Sequence, residues 1–171
     1  RQRQMCIRDR YLGCELHSSM DMTDCLKKGE RLTMSGSRYV LTEFRTSDEK
    51  SYIRERVQAL IRKGYYPIIA HVERYHSVVK NGLDFIDELR DMGAYIQMNA
   101  DSIIGEDGFM IKRFCKKVIK EEMLDFVGSD GHDLARRTPH IGKCYDKIEK
   151  MMGTDYADMI FISNPESIIN N

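Results

Sequence analysis

Apolar and polar positions alternate along the chain in two periods that take turns from about residue 36 onward. Tyr39-Val40-Leu41-Thr42-Glu43-Phe44 is rich in β-formers and predicts a strand. Thr46 and Glu49 then have the spacing of a capping box. Tyr52, Ile53, Val57, Leu60 and Ile61 recur at helical spacing, and Gly64 stands where that helix should stop. The unit then repeats. Tyr66-Pro67-Ile68-Ile69-Ala70 predicts a second strand, and Leu83, Ile86, Leu89 and Met92 mark a helix face closed by Gly93. Ala94-Tyr95-Ile96-Gln97-Met98 predicts a third strand. A helix over 109–122 follows, with Ile111, Phe114, Cys115, Val118 and Ile119 as its apolar stripe. Leu124-Asp125-Phe126-Val127 predicts a fourth strand, residues 140–152 a helix, and Met159-Ile160-Phe161-Ile162 a strand. Asn164-Pro165 ends that strand and opens a last short helix. Earlier in the chain only Leu12-Gly13-Cys14-Glu15-Leu16 reads as a short strand, and residues 1–10 fit no element. Strands and helices alternating across short loops imply an α/β fold with a parallel sheet, as a barrel or a doubly wound sheet.

Composition narrows the setting. The 171 residues suit one domain with a real core. Basic and acidic residues balance at 27 each, which argues against a nucleic-acid footprint or an anionic-membrane surface over the whole molecule. Hydrophobic residues at 42% and charged residues at 32% are globular values. No run is long enough to span a bilayer, and the first ten residues lack the apolar segment of a signal peptide. Five cysteines with no C-x-x-C pair argue against a disulfide framework or a cysteine zinc site, and point to a reducing cytoplasm.

In parallel α/β folds, chemistry gathers where strands end at the carboxyl edge. The N-terminal strand carries Glu15 and His17, and the strand at 39–44 closes on Glu43. The next runs into His71-Val72-Glu73-Arg74-Tyr75. The third runs into Asn99, with Ser102 beyond, and the fourth into Ser129-Asp130-Gly131-His132. Carboxylates and imidazoles on one rim are metal-ligand types without sulfur. A single His after a strand is more often a core or capping residue, and Asp-Gly alone suits a turn, so the expectation rests on their conjunction. Arg74 and Arg137 each follow a proposed ligand by a few residues, and guanidinium forks match phosphate oxygens. The competing reading of each is a surface charge, paired with Glu73 or solvated beside Arg136. Cys25 and Arg31 have the C-x5-R spacing of cysteine-dependent phosphatases. Glu30 would put a repelling carboxylate in that loop, however, and no strand precedes Cys25, so this spacing reads as chance.

Several of these segments, in this order and spacing, resemble the CpsB/CapC-type tyrosine-protein phosphatases of the polymerase and histidinol phosphatase (PHP) superfamily. They are Ser37-Arg38-Tyr39-Val40-Leu41-Thr42-Glu43-Phe44, Ala70-His71-Val72-Glu73-Arg74-Tyr75, Gln97-Met98-Asn99, Ser129-Asp130-Gly131-His132-Asp133 with Arg137 and Pro139, and Asn164-Pro165. The resemblance runs over roughly residues 12–170. It implies a distorted (β/α)7 TIM-like barrel with two or three manganese or similar divalent ions at the strand ends. Glu15, Glu43, His71, Asp130 and His132 match metal ligands, and Arg74 and Arg137 match phosphate-facing catalytic and substrate-binding arginines. His17 has no counterpart. The family's opening His-x-His segment, a following Asp and a further His are not found here. The expectation is therefore a partial PHP domain over 11–171 that lacks the first strands, preceded by a non-family leader over 1–10.

The implied function is metal-dependent hydrolysis of phosphotyrosine on a protein. The substrate would be a bacterial tyrosine kinase controlling capsule or exopolysaccharide synthesis, in the cytoplasm, with no nucleic-acid partner, no membrane insertion and homo-oligomerisation left open. Metal-activated water would attack phosphorus in line without a phospho-enzyme. The alternatives are another PHP phosphoesterase, acting on histidinol phosphate or a nucleotide, and a non-catalytic metal- or phosphoprotein-binding fragment.

Overall fold

A computed structural model describes residues 11–131 and 140–170. In chain order its elements are β1 (Glu15–His17), α1 (Met22–Lys27), β2 (Tyr39–Glu43), α2 (Lys50–Arg62), β3 (Tyr66–Ile69), α3 (His76–Asn81), α4 (Leu83–Asp91), β4 (Tyr95–Asn99), α5 (Ala100–Ile104), α6 (Phe109–Lys120), β5 (Phe126–Gly128), α7 (Ile141–Met152), α8 (Thr154–Asp158) and α9 (Asn164–Ile169). Short 3-10 turns occupy Met34–Gly36 and Val72–Arg74, and a π-helical turn occupies Met159–Ser163.

The sheet runs β1-β2-β3-β4-β5 with every neighbour pair parallel. The α/β class and parallel sheet read from the sequence are those observed. Strand residues alternate between two faces. One face carries Leu16, Val40, Ile69, Ile96 and Met98, all buried under the helices. The α2 and α4 stripes (Ile53, Val57, Phe85, Ile86, Leu89) and the α6 stripe (Phe114, Cys115, Val118, Ile119) pack into the same core. The other face carries Tyr39, Ile68 and Phe126, covered by Ile168 of α9 with Met34 beside them. Its rings step across the strands, with centroids 5.2 Å apart for Tyr39–Tyr66, 5.4 Å for Tyr39–Tyr95 and 5.8 Å for Tyr95–Phe126.

Three local expectations are corrected. The strand expected at 159–162 is helical. Backbone angles continue from α8 without a break, which places Tyr156, Ala157 and Ile160 on one buried face while Met159 and Ile162 are exposed. A short apolar run reads alike for a strand and a buried helix. The Thr46–Glu49 capping box does not form, because the helix begins at Lys50 without a side-chain cap. Asp48 instead closes a turn on Arg45, accepting its backbone N–H at 2.9 Å. The fourth strand lies at Phe126–Gly128 rather than 124–127; just before it, Asp125 meets Ile96 with its backbone N–H on the Ile96 carbonyl at 3.0 Å and its carboxylate, in place of a backbone carbonyl, accepting the Ile96 N–H at 2.8 Å. Residues 1–10, expected to be a leader, lie outside the described residues.

Candidate metal centre

Strand register delivers the first two carboxylates. Glu15 pairs across from Leu41 and His17 from Glu43, so Glu15 and Glu43 share the inner face at the carboxyl ends of β1 and β2. The chain leaves β3 and turns sharply at His71, which holds left-handed backbone angles of φ 35° and ψ 53°. That conformation is costly for a residue with a Cβ and marks a constrained site. Its backbone N–H is held by the Gln97 side-chain oxygen. The turn aims the imidazole back across the sheet, with His71 Nε2 2.9 Å from Glu15 Oε1 and 3.5 Å from Glu43 Oε2. One donor atom from each of Glu15, Glu43 and His71 lies within 4.8 Å of the others.

The segment 70–75 is legible atom by atom. Val72 is fully buried. Glu73 is buried too, and its Oε1 accepts the Asn99 backbone N–H at 3.1 Å and the Ser102 hydroxyl at 2.7 Å. Arg74 Nη1 lies 2.7 Å from Asp130 Oδ2. The Tyr75 hydroxyl donates to the Ala70 carbonyl at 2.7 Å and accepts the Phe44 N–H at 3.1 Å, tying the ends of β2 and β3 together. Its ring stands 5.6 Å from the His71 ring. Within this turn His71 and Arg74 thus reach the rim, while Val72, Glu73 and Tyr75 are buried beneath it.

Across the sheet, β4 and β5 supply the other half. Asn99 Nδ2 donates to Asp130 Oδ2 at 3.1 Å. A cavity of about 260 Å³ is lined by Glu15, His71, Gln97, Asn99 and Asp130 together with apolar residues of the inner face. Four of the expected site residues, Glu15, Glu43, His71 and Asp130, therefore stand on one rim, and Arg74 reaches that rim through Asp130. His132 and Arg137 lie outside the described residues. His17, given no role from the sequence, has its Nδ1 3.5 Å from Glu43 Oε1.

Electrostatics fits a cation. Two carboxylates this close repel unless positive charge lies between them, and either a protonated imidazole or a divalent ion meets that need. Burial opposes charging of His71, yet the hydrogen bond and charge of Glu15 prevail and move its pKa above 6.5. Its Nδ1 is buried with no hydrogen-bond partner among the described residues. Two carboxylate oxygens and one imidazole nitrogen, without sulfur, suit hard to borderline divalent ions.

Gln97, named above only within Gln97-Met98-Asn99, and Gly128 carry no assigned role in the sequence. Gln97 positions His71, and a Cβ at Gly128 would sit 2.2 Å from Gln97 Nε2. The available signal was the two-residue period of β4, which puts Gln97 on the same face as Asn99.

A parallel α/β sheet with carboxylate and imidazole donors converging at its strand ends defines an α/β protein built around a metal-type centre. The family model for capsular polysaccharide synthesis, CpsB/CapC, matches residues 2–170, and the chain belongs to this family. It is 32% identical over 162 residues to the tyrosine-protein phosphatase CpsB of Streptococcus pneumoniae, covering 92% of this chain and 66% of that protein. It is 28% identical over 159 residues to the tyrosine-protein phosphatase YwqE of Bacillus subtilis, covering 93% of this chain and 62% of that one. Among solved structures, those of YwqE and CpsB, described as metal-dependent tyrosine phosphatases, include a match with a TM-score of 0.85 and 27% identity. That match covers 93% of this chain and 64% of the other. The chain thus spans about two thirds of the length of the relatives it matches.

Proposed function

We propose that this chain functions as a metal-dependent protein-tyrosine phosphatase. It would act in the cytoplasm on phosphotyrosine of a bacterial tyrosine kinase, in capsule or exopolysaccharide synthesis. The observation that carries the reading is the convergence of Glu15, Glu43 and His71 at the strand ends, in a family whose relatives in Streptococcus and Bacillus bear the name tyrosine-protein phosphatase. The sequential parallel order of the five strands suits one sector of a seven-unit PHP barrel. Glu15, Glu43, His71, Asp130 and His132 are the proposed ligands of manganese or similar ions. When bound, such ions supply Lewis acidity, which lowers the pKa of water and draws in phosphate oxygens.

The chain's own residues would do the rest. Asn99 holds Asp130 in place through its amide. Arg74 stands beside Asp130 and lines a neighbouring polar cavity with Asn99 and Ser129, where its guanidinium can neutralise oxygens of an arriving phosphate, with Arg137 as the second such group. The leaving phenol has an ordinary pKa of about 10 and so needs little help from a general acid. Cys25 is poorly suited to the rival cysteine mechanism. Partial burial and the carboxylates of Glu30 and Asp21 push its thiol upward, whereas a nucleophilic thiolate needs the opposite. No observation favours histidinol phosphate or a nucleotide as substrate, or a non-catalytic role.

The test is hydrolysis of p-nitrophenyl phosphate and of a phosphotyrosine peptide with manganese and with EDTA. The expected result is activity that needs the metal and falls at least tenfold in Arg74→Ala. Activity that survives EDTA and dies in Cys25→Ser would overturn the mechanism.

A further inference from the structure

On the outer layer, away from the strand ends, α5, α6 and α7 enclose a groove of about 280 Å³. Its floor is apolar: Ile103, Ile119 and Met151. Its walls carry four lysines, Lys112 and Lys116 from α6 and Lys147 and Lys150 from α7. No ion pair joins any of the four to a carboxylate among the described residues. The arrangement is built in. The Lys112 stem crosses directly over Gly105, where a Cβ would come within 2.7 Å of its Cδ. Lys147 Nζ donates to the Ile103 carbonyl. Burial, and then the charge of Lys112, lower the Lys147 pKa, as expected where like charges face one another without an anion. In a chain of zero net charge, this is a local concentration of uncompensated positive charge over an apolar floor.

We propose that this groove is a docking site for an acidic segment of a protein substrate, with one apolar side chain of that segment seated on the floor. The geometry separates this occupant from others. Lys112 and Lys147 face one another across the groove, and Lys116 and Lys150 stand about one turn further along their helices, so the charge is drawn out along the groove. That suits carboxylates distributed along a peptide better than a phosphate headgroup, which favours converging forks or backbone amides. The floor has room for one or two side chains rather than a lipid tail. Phe109 is exposed one turn before Lys112 and extends the same wall. The groove is linked to the Asp130 side of the rim through α5. Asn99 at the start of α5 touches Asp130, and Ile103 near its end forms the floor, about 6 Å further along one helix. A substrate lying in the groove would present a tyrosine a few residues away to the rim. This inference rests on the phosphatase reading for what the docked segment delivers, though not for the docking itself.

The experiment uses fluorescent, unphosphorylated peptides: one carrying several Glu and Asp around a Leu, and a Lys-substituted counterpart. Wild-type chain should bind the acidic peptide, more weakly as salt rises, and ignore the basic one. Lys112→Glu/Lys116→Glu, at two exposed positions outside the metal centre, should weaken acidic-peptide binding about tenfold or more and begin to bind the basic peptide. With phosphotyrosine peptides, the same variant should raise KM for an acidic-flanked substrate and leave kcat, and p-nitrophenyl phosphate hydrolysis, unchanged. Equal binding of the two peptides by wild type, or an unaffected charge-reversed variant, would overturn the inference. So would preferential binding of anionic vesicles or a nucleotide at this groove. Acidic-peptide binding without any manganese-dependent p-nitrophenyl phosphate hydrolysis would sink the phosphatase reading and leave the groove standing.

Discussion

Glu73 sits two residues from His71 and makes the rim rigid rather than reactive. Its Oε1 accepts from the Asn99 N–H and Ser102 Oγ, while Ser102 Oγ is also 2.6 Å from Asp107 Oδ2. A serine has one proton to donate, so only one of these carboxylates receives it, and burial raises the Glu73 pKa above 4.5. A raised pKa means that the contribution of Glu73 to stability is complete below about 4.5 and is lost as pH rises through the raised value. Glu73→Gln has no such titration. Its melting temperature should therefore improve relative to wild type between about pH 5 and pH 8, and a constant difference across that range would refute the assignment. Gly128 is the second lesson at this scale. Nothing in the string Val127-Gly128-Ser129 announces that an amide from another strand lies 2.2 Å from where its Cβ would be. Gly128→Ala must displace Gln97 and free the His71 turn that Gln97 holds. The expected cost is about 1–3 kcal/mol in chemical denaturation, with weaker divalent-ion binding in a titration. Unchanged ion affinity would show that Gln97 does not position His71. His71 and Glu15 were readable because they are chemically unusual at strand ends. Gln97 and Gly128 act through proximity between strands, which one strand's sequence cannot display.

At the scale of elements, periodicity located most helices and strands, because each buries one face against a single core. It failed where a segment serves two surfaces or continues its neighbour. Met159-Ile160-Phe161-Ile162 has β-strand composition, but α8 passes into it helically, and of the four Ile160 is buried and Phe161 packs partly against the core. The same C-terminal region carries α9 onto the inner face of the sheet, where Asn164 Nδ2 donates to the Asp125 carbonyl at 2.8 Å and Ile168 meets Tyr39, Ile68 and Phe126. That element therefore closes the lower part of the face whose upper rim holds the metal-type cluster. Ile168→Asp should destabilise the chain by roughly 2–4 kcal/mol through a charge placed against apolar surface, and should increase binding of a hydrophobic dye. Ile169→Asp, one position on and exposed, is the control and should stay within about 0.5 kcal/mol of wild type. Equal effects from the two substitutions would mean that α9 does not cover the sheet.

For the molecule as a whole, the helix-covered face of the sheet supplies stability and the carboxyl rim supplies charge, so metal and proton should compete at a place that the fold as a whole senses. Without metal, protonated His71 bridges toward Glu15 and Glu43. Because its pKa is raised above 6.5, that pairing contributes fully below about 6.5 and is lost as pH rises through the raised value. A divalent ion needs the neutral imidazole, so its affinity moves the other way and grows over the same window. A ligand that binds only the folded state at about a hundredfold excess over its Kd adds ~2.7 kcal/mol. In a chain of this length that amounts to roughly 5–10 °C in melting temperature. The difference in melting temperature between manganese-loaded and EDTA-treated chain should therefore reach this size near pH 8 and shrink markedly near pH 6. Glu15→Gln and His71→Gln should each remove most of it at both pH values, since each deletes a donor and leaves the sheet intact. A shift that is the same at both pH values, or that persists in both variants, would place the ion elsewhere on the molecule and remove Glu15 and His71 from the centre.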